Sequence, residues 1–359
     1  MHPSFALGSD IEIEFFSRLH FGLMEICPGQ PHCYGGVGLM VDVPSSRIAA
    51  TLGAAAPGEL MVRADAYWGG RARATLDAWM MNCQQTALPV RELRVIHAPS
   101  AHVGLGSGTQ FACGIAALLQ IASGVQSPTA TRDEVSLGDM QSWFPNATAL
   151  SHATGRGRRS FIGLQGFLQG GLVVDAGMLA SATEDAVMAE RTMTVAFPET
   201  WRVLLWCEDS HPGDSGEDEV AMIARCAQQP NPHRSAMLAC IHEQLLPAIA
   251  TNDWSSAGQA IGRYGAWAGE IFRPIQGGIY RSAAIARAVA AIESLGIPGV
   301  GQSSWGPTVF ALTRDEEHAG WLGQQLRKRL GGAGRLQIAK VAGSARVHAL
   351  GGAGSSGAE

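Results

Sequence analysis

The segment His102-Val103-Gly104-Leu105-Gly106-Ser107-Gly108-Thr109-Gln110 constrains this chain more than any other. A short strand candidate, Leu93 to His97, precedes it. A run of Ala, Leu, Ile and Cys without proline, Phe111 to Ser123, follows it and reads as a buried helix. The order is therefore strand, glycine turn, helix. Gly104, Gly106 and Gly108 carry no side chains, so successive backbone N–H groups can approach a ligand and point at it. The helix N-terminus adds partial positive charge, and the two together favour phosphate or another anion. Ser107 and Thr109 add hydroxyls that could hold phosphate oxygens or a metal. No lysine follows the glycines, which separates the pattern from a Walker A loop. The residues alone leave two readings open, an anion-binding loop and a plain tight turn packed on a sheet.

Two further segments carry candidate chemistry. Gly155-Arg156-Gly157-Arg158-Arg159-Ser160 places three guanidinium forks, each suited to phosphate or carboxylate, among small residues; the alternative is a solvated basic loop. Gly299-Val300-Gly301-Gln302-Ser303-Ser304-Trp305-Gly306-Pro307 precedes a strand at Thr308 to Leu312. Its Gln302, Ser303 and Ser304 can bind a polar ligand and Trp305 can stack on a planar ring; a structural turn with Trp305 as core filler is equally compatible. Arg18 and His20 alternate along a strand and so share a face, where they could bind an anion or move a proton. Asp42, Asp175, Glu208 and Asp209 sit near strand ends and could hold Mg2+, although most such acids are only solvated. Cys27 and Cys33 flank His32 without a second half of a zinc site.

The chain has 359 residues, which suggests two domains. With 46% hydrophobic and 16% charged residues it is a globular composition. A net charge of −5 argues against a general nucleic-acid or membrane-surface protein. Seven scattered cysteines do not form a disulfide framework and fit a reducing compartment. No signal peptide and no run of membrane-spanning length is visible, so a cytoplasmic location is expected. Strands are predicted around 11–15, running on into 17–22, and at 39–43, 93–97, 171–175, 203–206 and 308–312. Helices are predicted at 72–86, 111–123, 217–228, 234–250, 281–295 and 315–330. The tail 351–359, all Gly, Ser and Ala before its final Glu, is expected to be disordered.

Taken together, Arg18-Leu19-His20-Phe21-Gly22-Leu23, Gly35-Gly36-Val37-Gly38, the turn at 104–110, the arginine segment at 155–160 and Gly301-Gln302-Ser303-Ser304-Trp305-Gly306-Pro307 resemble the beta-ribofuranosylaminobenzene 5'-phosphate synthases. That family lies in the GHMP kinase superfamily. The motifs occur in the family's order over residues 18 to about 312, and the last is the most specific. The resemblance implies an α+β protein of two domains. Residues 1–192 would resemble ribosomal protein S5 domain 2, and 193–350 would be ferredoxin-like. It implies a synthase that joins the ribose 5-phosphate of phosphoribosyl pyrophosphate to 4-hydroxybenzoate or 4-aminobenzoate, releasing carbon dioxide and pyrophosphate, on the way to tetrahydromethanopterin. Mg2+, no ATP requirement and a homodimer are further implications.

In that reading Gly104, Gly106, Ser107, Gly108, Thr109 and Gln110, with Arg156, Arg158, Arg159 and Ser160, hold the phosphates. Gly301, Gln302, Ser303, Ser304 and Trp305 complete the substrate site, Arg18 and His20 act on the reacting groups, and Asp175 is a candidate to hold Mg2+. One departure stands out. Where the superfamily's sugar and mevalonate kinases carry Ser-Gly-Ile-Asp, this chain has Ser160-Phe161-Ile162-Gly163. The acid near the phosphate acceptor is absent, which weakens a kinase reading and suits a synthase. A small-molecule kinase with another base and a non-enzymatic ligand sensor remain the alternatives.

Overall fold

In the computed structural model, residues 9–27, 30, 32–56, 58–125, 140–179, 191–208, 217–227 and 230–350 are described. The chain opens with two long antiparallel strands, β1 (Asp10–Glu25) and β2 (His32–Ala55). A short β3 (Met61–Arg63) leads to α1 (Ala66–Asn82), and β4 (Leu88–His97) leads through the glycine turn to α2 (Ser107–Val125). Helices α3 (Met140–Trp143), α4 (Ala147–Thr154) and α5 (Ile162–Gln169) follow, then strands β5 (Leu172–Asp175), β6 (Met178–Leu179) and β7 (Thr192–Val195). The second half begins with β8 (Arg202–Cys207), α6 (Glu217–Cys226) and α7 (Arg234–Ala239). A π-helical turn at Cys240–Leu245 joins α7 to α8 (Leu246–Ala250). Then come α9 (Trp254–Glu270), α10 (Arg273–Gln276), α11 (Ala283–Glu293), β9 (Val300–Gln302), β10 (Thr308–Thr313), α12 (Glu316–Arg329), β11 (Arg335–Ala339) and β12 (Arg346–Leu350).

The strands form two sheets. The larger runs β12-β1-β2-β4-β3, with β5 and β6 also on β2 and β7 on β5; the smaller runs β11-β8-β10-β9. Counted within its own unit, the smaller sheet has order 4-1-3-2, the arrangement of a ferredoxin-like βαββαβ unit, as expected. The mixed strand and helix content fits the expected α+β class. One boundary needs correction. β12 pairs with β1 from Asp10↔Leu350 to Glu14↔Arg346, so the chain's last described strand returns to the first sheet rather than closing the 193–350 unit. Sequence gives no sign of this, because strand partners are chosen by tertiary packing.

β1 ties the halves together. Ile11, Ile13 and Phe15 lie in a core with α1, α2, α4 and α5, where the Phe15 ring sits 6.5 Å from Phe111 and 6.2 Å from Phe167. Leu19, Phe21 and Met24 lie in a second core with Tyr264 and Ala268 of α9 and Phe310 and Leu312 of β10. Gly114 on α2 makes the first packing possible, since a Cβ there would stand 2.5 Å from the Phe15 ring. Helix α1 begins earlier than expected because Asp65 caps it, accepting from Trp68 N at 2.8 Å. The expected helix 234–250 is interrupted by its π turn. Helices α4, α5 and α9 were not foreseen. For α9 the signal was present: an Asp253 cap, then Ala257, Ala260, Ile261, Tyr264 and Ala268 at helical spacing. The tail 351–359 and Asp209 lie outside the described residues.

Truncation after Ala345 removes β12 and leaves the first half of β1 as a bare edge. The truncated protein is expected to melt at a lower temperature and to self-associate in light scattering; an unchanged melt and a monodisperse particle would show that β12 adds nothing.

Candidate active site

The site starts from an irregularity in β1. Between His20↔Gly38 and Gly22↔Val37 the ladder slips, so Phe21 is an extra residue and β1 bulges there. Gly22 takes φ +129°, and its freed N–H donates to His20 Nδ1 at 3.1 Å. Any larger residue at 22 would strike Ala268, whose Cβ would lie 2.1 Å from the new one. Arg18 and His20 both reach the cavity beside this bulge, in keeping with their expected shared face.

The glycine turn is clamped from the far half of the chain. A Cβ on Gly104 would lie 2.4 Å from Ser303 O, and one on Gly306 would lie 2.1 Å from Gly104 N, so two backbones touch where both residues lack side chains. Ser303 Oγ donates to Gly104 O at 2.7 Å and accepts from His20 N at 3.1 Å. Thr308 Oγ1 donates to Val103 O at 2.6 Å, Ser304 N donates to His20 O at 2.9 Å, and Arg18 N donates to Leu105 O at 2.9 Å. These bonds bring β1, the glycine turn and the 301–308 segment to one place.

Between them lies a cavity of about 360 Å³, within the range of small-molecule sites. Its lining is in part cationic and polar, with Arg18, Arg156, Arg158, Arg159, Ser160 and Thr109. It is in part apolar, with Leu23, Ile223, Phe272 and Trp305, which pack as one cluster, and with Ile279 and Tyr280. Trp305 packs edge-on against Phe272, with centroids 4.2 Å apart. His20, Gln302 and Ser304 also line it. No carboxylate lines it among the described residues. Burial lowers the Arg156 pKa first, and the neighbouring Arg71 guanidinium lowers it further. Burial pushes the His20 pKa well below its usual value, and Arg18 and Arg159 push it in the same direction. Tyr280 is raised to about 12, mainly by burial and then by Glu293.

Several sequence candidates do not face this cavity. Gly104, Gly106, Ser107 and Gly108 are absent from its lining and act from behind it: Gly106 lets the Arg18 guanidinium approach, since a Cβ there would stand 2.9 Å from Arg18 Nε, and Gly108 does the same for Arg71. Gln110 is buried and donates to Gly163 O at 2.7 Å. Gly301 packs against the Phe310 ring, and Ser303 is fully buried in the clamp. Arg71 was missed by sequence reading because it sits within an otherwise ordinary helix. Of the apolar lining only Trp305 was expected; Leu23, Ile223, Phe272, Ile279 and Tyr280 were missed because they are scattered from 23 to 280.

Asp175 is the clearest correction. Its carboxylate is fully buried and absent from the cavity lining. It pairs with buried Arg191, Oδ1 at 2.5 Å from Nε and Oδ2 at 3.0 Å from Nη2, and accepts from Phe161 N at 2.7 Å and Gly177 N at 3.0 Å. With its oxygens so engaged it pins the backbone leading into α5 and is not placed as a metal ligand. Asp42 accepts from Lys340 N at 2.7 Å, and Glu208 accepts from Ser282 Oγ at 3.4 Å; neither lines the cavity. Among the described residues no His, Cys, Asp and Glu cluster could hold a metal, at Cys27, His32 and Cys33 or elsewhere. The donor set therefore does not fit a Mg2+ ion held by protein side chains. No described helix is long and apolar enough to cross a membrane.

A family model described as GHMP kinases C terminal matches residues 245–331. Among curated proteins the chain is similar to the beta-ribofuranosylphenol 5'-phosphate synthase of Methanothermobacter thermautotrophicus, 26% identical over 315 residues that cover 84% of this chain and 88% of the relative. It is also similar to the protein of that name from Archaeoglobus fulgidus, 26% identical over 87% of this chain and 90% of the relative. Solved structures of like fold include a homoserine kinase from Listeria monocytogenes, TM-score 0.57 at 15% identity over 94% of this chain and 99% of that one. Another is the mevalonate diphosphate decarboxylase of Enterococcus faecalis, TM-score 0.60 at 13% identity over 95% and 99%.

Asp175→Asn leaves the buried Arg191 charge without its counterion and is expected to cost about 3–5 kcal/mol of stability, read as a lowered denaturation midpoint. If Asp175 held metal for the reaction instead, the variant would melt normally and lose activity.

Proposed function

We propose that this chain, similar to two beta-ribofuranosylphenol 5'-phosphate synthases and matched by the GHMP kinases C terminal model, is a synthase of that family and condenses phosphoribosyl pyrophosphate with 4-hydroxybenzoate or 4-aminobenzoate. The observation that carries the reading is the make-up of the cavity lining. Four arginines together with Phe272, Tyr280 and Trp305 in one cavity are complementary to a phosphorylated sugar joined to a benzene ring.

The bonds change as follows. The C1–O bond of the ribosyl donor breaks and pyrophosphate leaves with the electron pair. The ring carbon bearing the carboxylate attacks C1 with π electrons. The bond to the carboxylate then returns its pair to the ring, and carbon dioxide leaves. Arg156, Arg158 and Arg159 hold the phosphates and meet the charge that develops on the leaving group, the kind of term that usually dominates catalysis. Thr109 and Ser160 add hydroxyl donors. Arg18, the fourth arginine of the lining, suits the benzoate carboxylate. Phe272 and Trp305 fix the ring plane, and holding both reactants together lowers the entropic barrier. A divalent ion would arrive on the donor's own oxygens.

The cavity also bears on the kinase alternative. Position 163 faces Thr109, Gln110 and Arg18, and glycine there supplies no acid. With no carboxylate in the described lining, nothing of that kind stands ready to take a proton from an alcohol acceptor.

Carboxyl-labelled benzoate incubated with phosphoribosyl pyrophosphate and Mg2+ is expected to release labelled carbon dioxide and pyrophosphate in equal amounts. ATP hydrolysis with added alcohols, and no release from either ring, would favour a kinase. The Arg158→Ala and Arg159→Ala double variant should raise KM for the ribosyl donor at least about tenfold, since each charged hydrogen bond contributes about 1.5–3 kcal/mol; an unchanged KM would remove both from the phosphate site.

A further inference from the structure

The reaction as balanced above moves no proton at the ring carbon. The group that departs is carbon dioxide from a carboxylate, so the electron pair returns to the ring without a base. A histidine at the centre of such a site needs another task, and the geometry around His20 supplies one.

His20 is held at both its ring and its main chain. Nδ1 accepts from Gly22 N at 3.1 Å, a donor freed by the β1 bulge. Its backbone N is bonded to Ser303 Oγ and its O to Ser304 N. Gly36 on β2 makes room for the ring edge, since a Cβ there would stand 3.1 Å from Cε1. A proton cannot be added at Nδ1 without breaking the bond from Gly22, so the neutral ring carries its hydrogen on Nε2. The charged groups facing it are Arg18 on its own strand and Arg159 from the loop before α5, both cationic. Either would oppose a second positive charge on the ring. Nε2 has no protein partner among the described residues, and the residue, 5% exposed, lines the cavity together with the arginines and the apolar side chains.

We propose that His20 is a permanently neutral, single-tautomer hydrogen-bond donor, aimed from Nε2–H at an anionic oxygen of the reacting centre, and that it transfers no proton. The oxygen belongs either to the carboxylate that leaves as carbon dioxide or to the leaving pyrophosphate, the two anionic groups attached to the atoms that react. A neutral donor here orients the oxygen without adding a further full charge beside the arginines. This inference rests on the proposed synthase reaction for its chemical meaning, but its tautomer does not.

Two independent readouts test it. In protein labelled with 15N-histidine, the resonance pair missing from His20→Gln should show Nδ1 unprotonated and Nε2 protonated, unchanged from pH 6 to 8.5. The opposite tautomer, or titration within that range, overturns the proposal whatever the reaction is. In turnover, His20→Gln, whose amide N–H can stand near the Nε2 position, should stay within about tenfold of the parent kcat. His20→Ala, and His20→Asn whose amide is too short, should lose about a hundredfold, as for removal of one fixed donor to a developing anion. A rise in KM for the benzoate would put the oxygen on the carboxylate, and a rise for the ribosyl donor would put it on the pyrophosphate. If folded His20→Gln is as inactive as His20→Ala, proton transfer is the better account and the proposal fails. Should the protein show no turnover at all, calorimetry with inorganic pyrophosphate and with 4-hydroxybenzoate decides: His20→Ala should weaken one of them about tenfold and His20→Gln should not. Unchanged affinity for both in His20→Ala overturns the proposal.

Discussion

The backbone-to-backbone contact between Gly104 and Gly306 is the constraint on which the site depends. Two loops some two hundred positions apart come close enough that a single methyl group on either residue would overlap the other's main chain. The polar atoms exposed by such an approach would be costly if left unpaired in the interior. Ser303 and Thr308 satisfy them, bonding to Gly104 O and Val103 O while Ser303 also takes the His20 N–H. One hydroxyl thus fixes three chain segments relative to one another. The cavity is the space left where those segments diverge.

That cavity concentrates positive charge in a protein whose net charge is −5. Four arginines line it without a lining carboxylate among the described residues, and Arg71 crowds Arg156 from α1. Like charges brought together and partly desolvated are costly to hold, and under the proposed reaction the substrate's phosphates would meet them. The surroundings offset this. The Asp175–Arg191 pair, buried beneath the arginine segment, holds Phe161 N and the start of α5, and the Arg191 guanidinium lies 4.6 Å from the Phe161 ring centroid. The arginine segment is thus braced by an ion pair that lies outside the cavity lining.

The solved neighbours include a kinase and a diphosphate decarboxylase on the same fold, and fold alone does not choose between chemistries. Two local features bear on that choice. Position 163, a glycine, stands beside Arg18 and supplies no acid, and the bulge at Phe21 leaves His20 with one ring nitrogen already occupied. Under the proposed reaction, in which pyrophosphate and carbon dioxide leave, neither position has a proton to move.

Neighbouring residues alone set the strand, glycine turn and buried helix at 93–123, the clustering of Arg156, Arg158 and Arg159, and the strands at 203–206 and 308–312, whereas the ferredoxin-like order of the second half came only from the resemblance. Periodicity also held the α9 helix, although it went unread. Tertiary structure decided what each residue faces. It turned Gly104 and Ser303 toward each other, packed Gly301 on Phe310, placed Asp175 on Arg191, set Arg71 beside Arg156 and brought Phe272 and Tyr280 to the cavity. It also returned β12 to the first sheet. Local sequence fixes backbone preferences over a few residues, whereas burial, ion pairing and the closing of a cavity are properties of segments that meet only after folding.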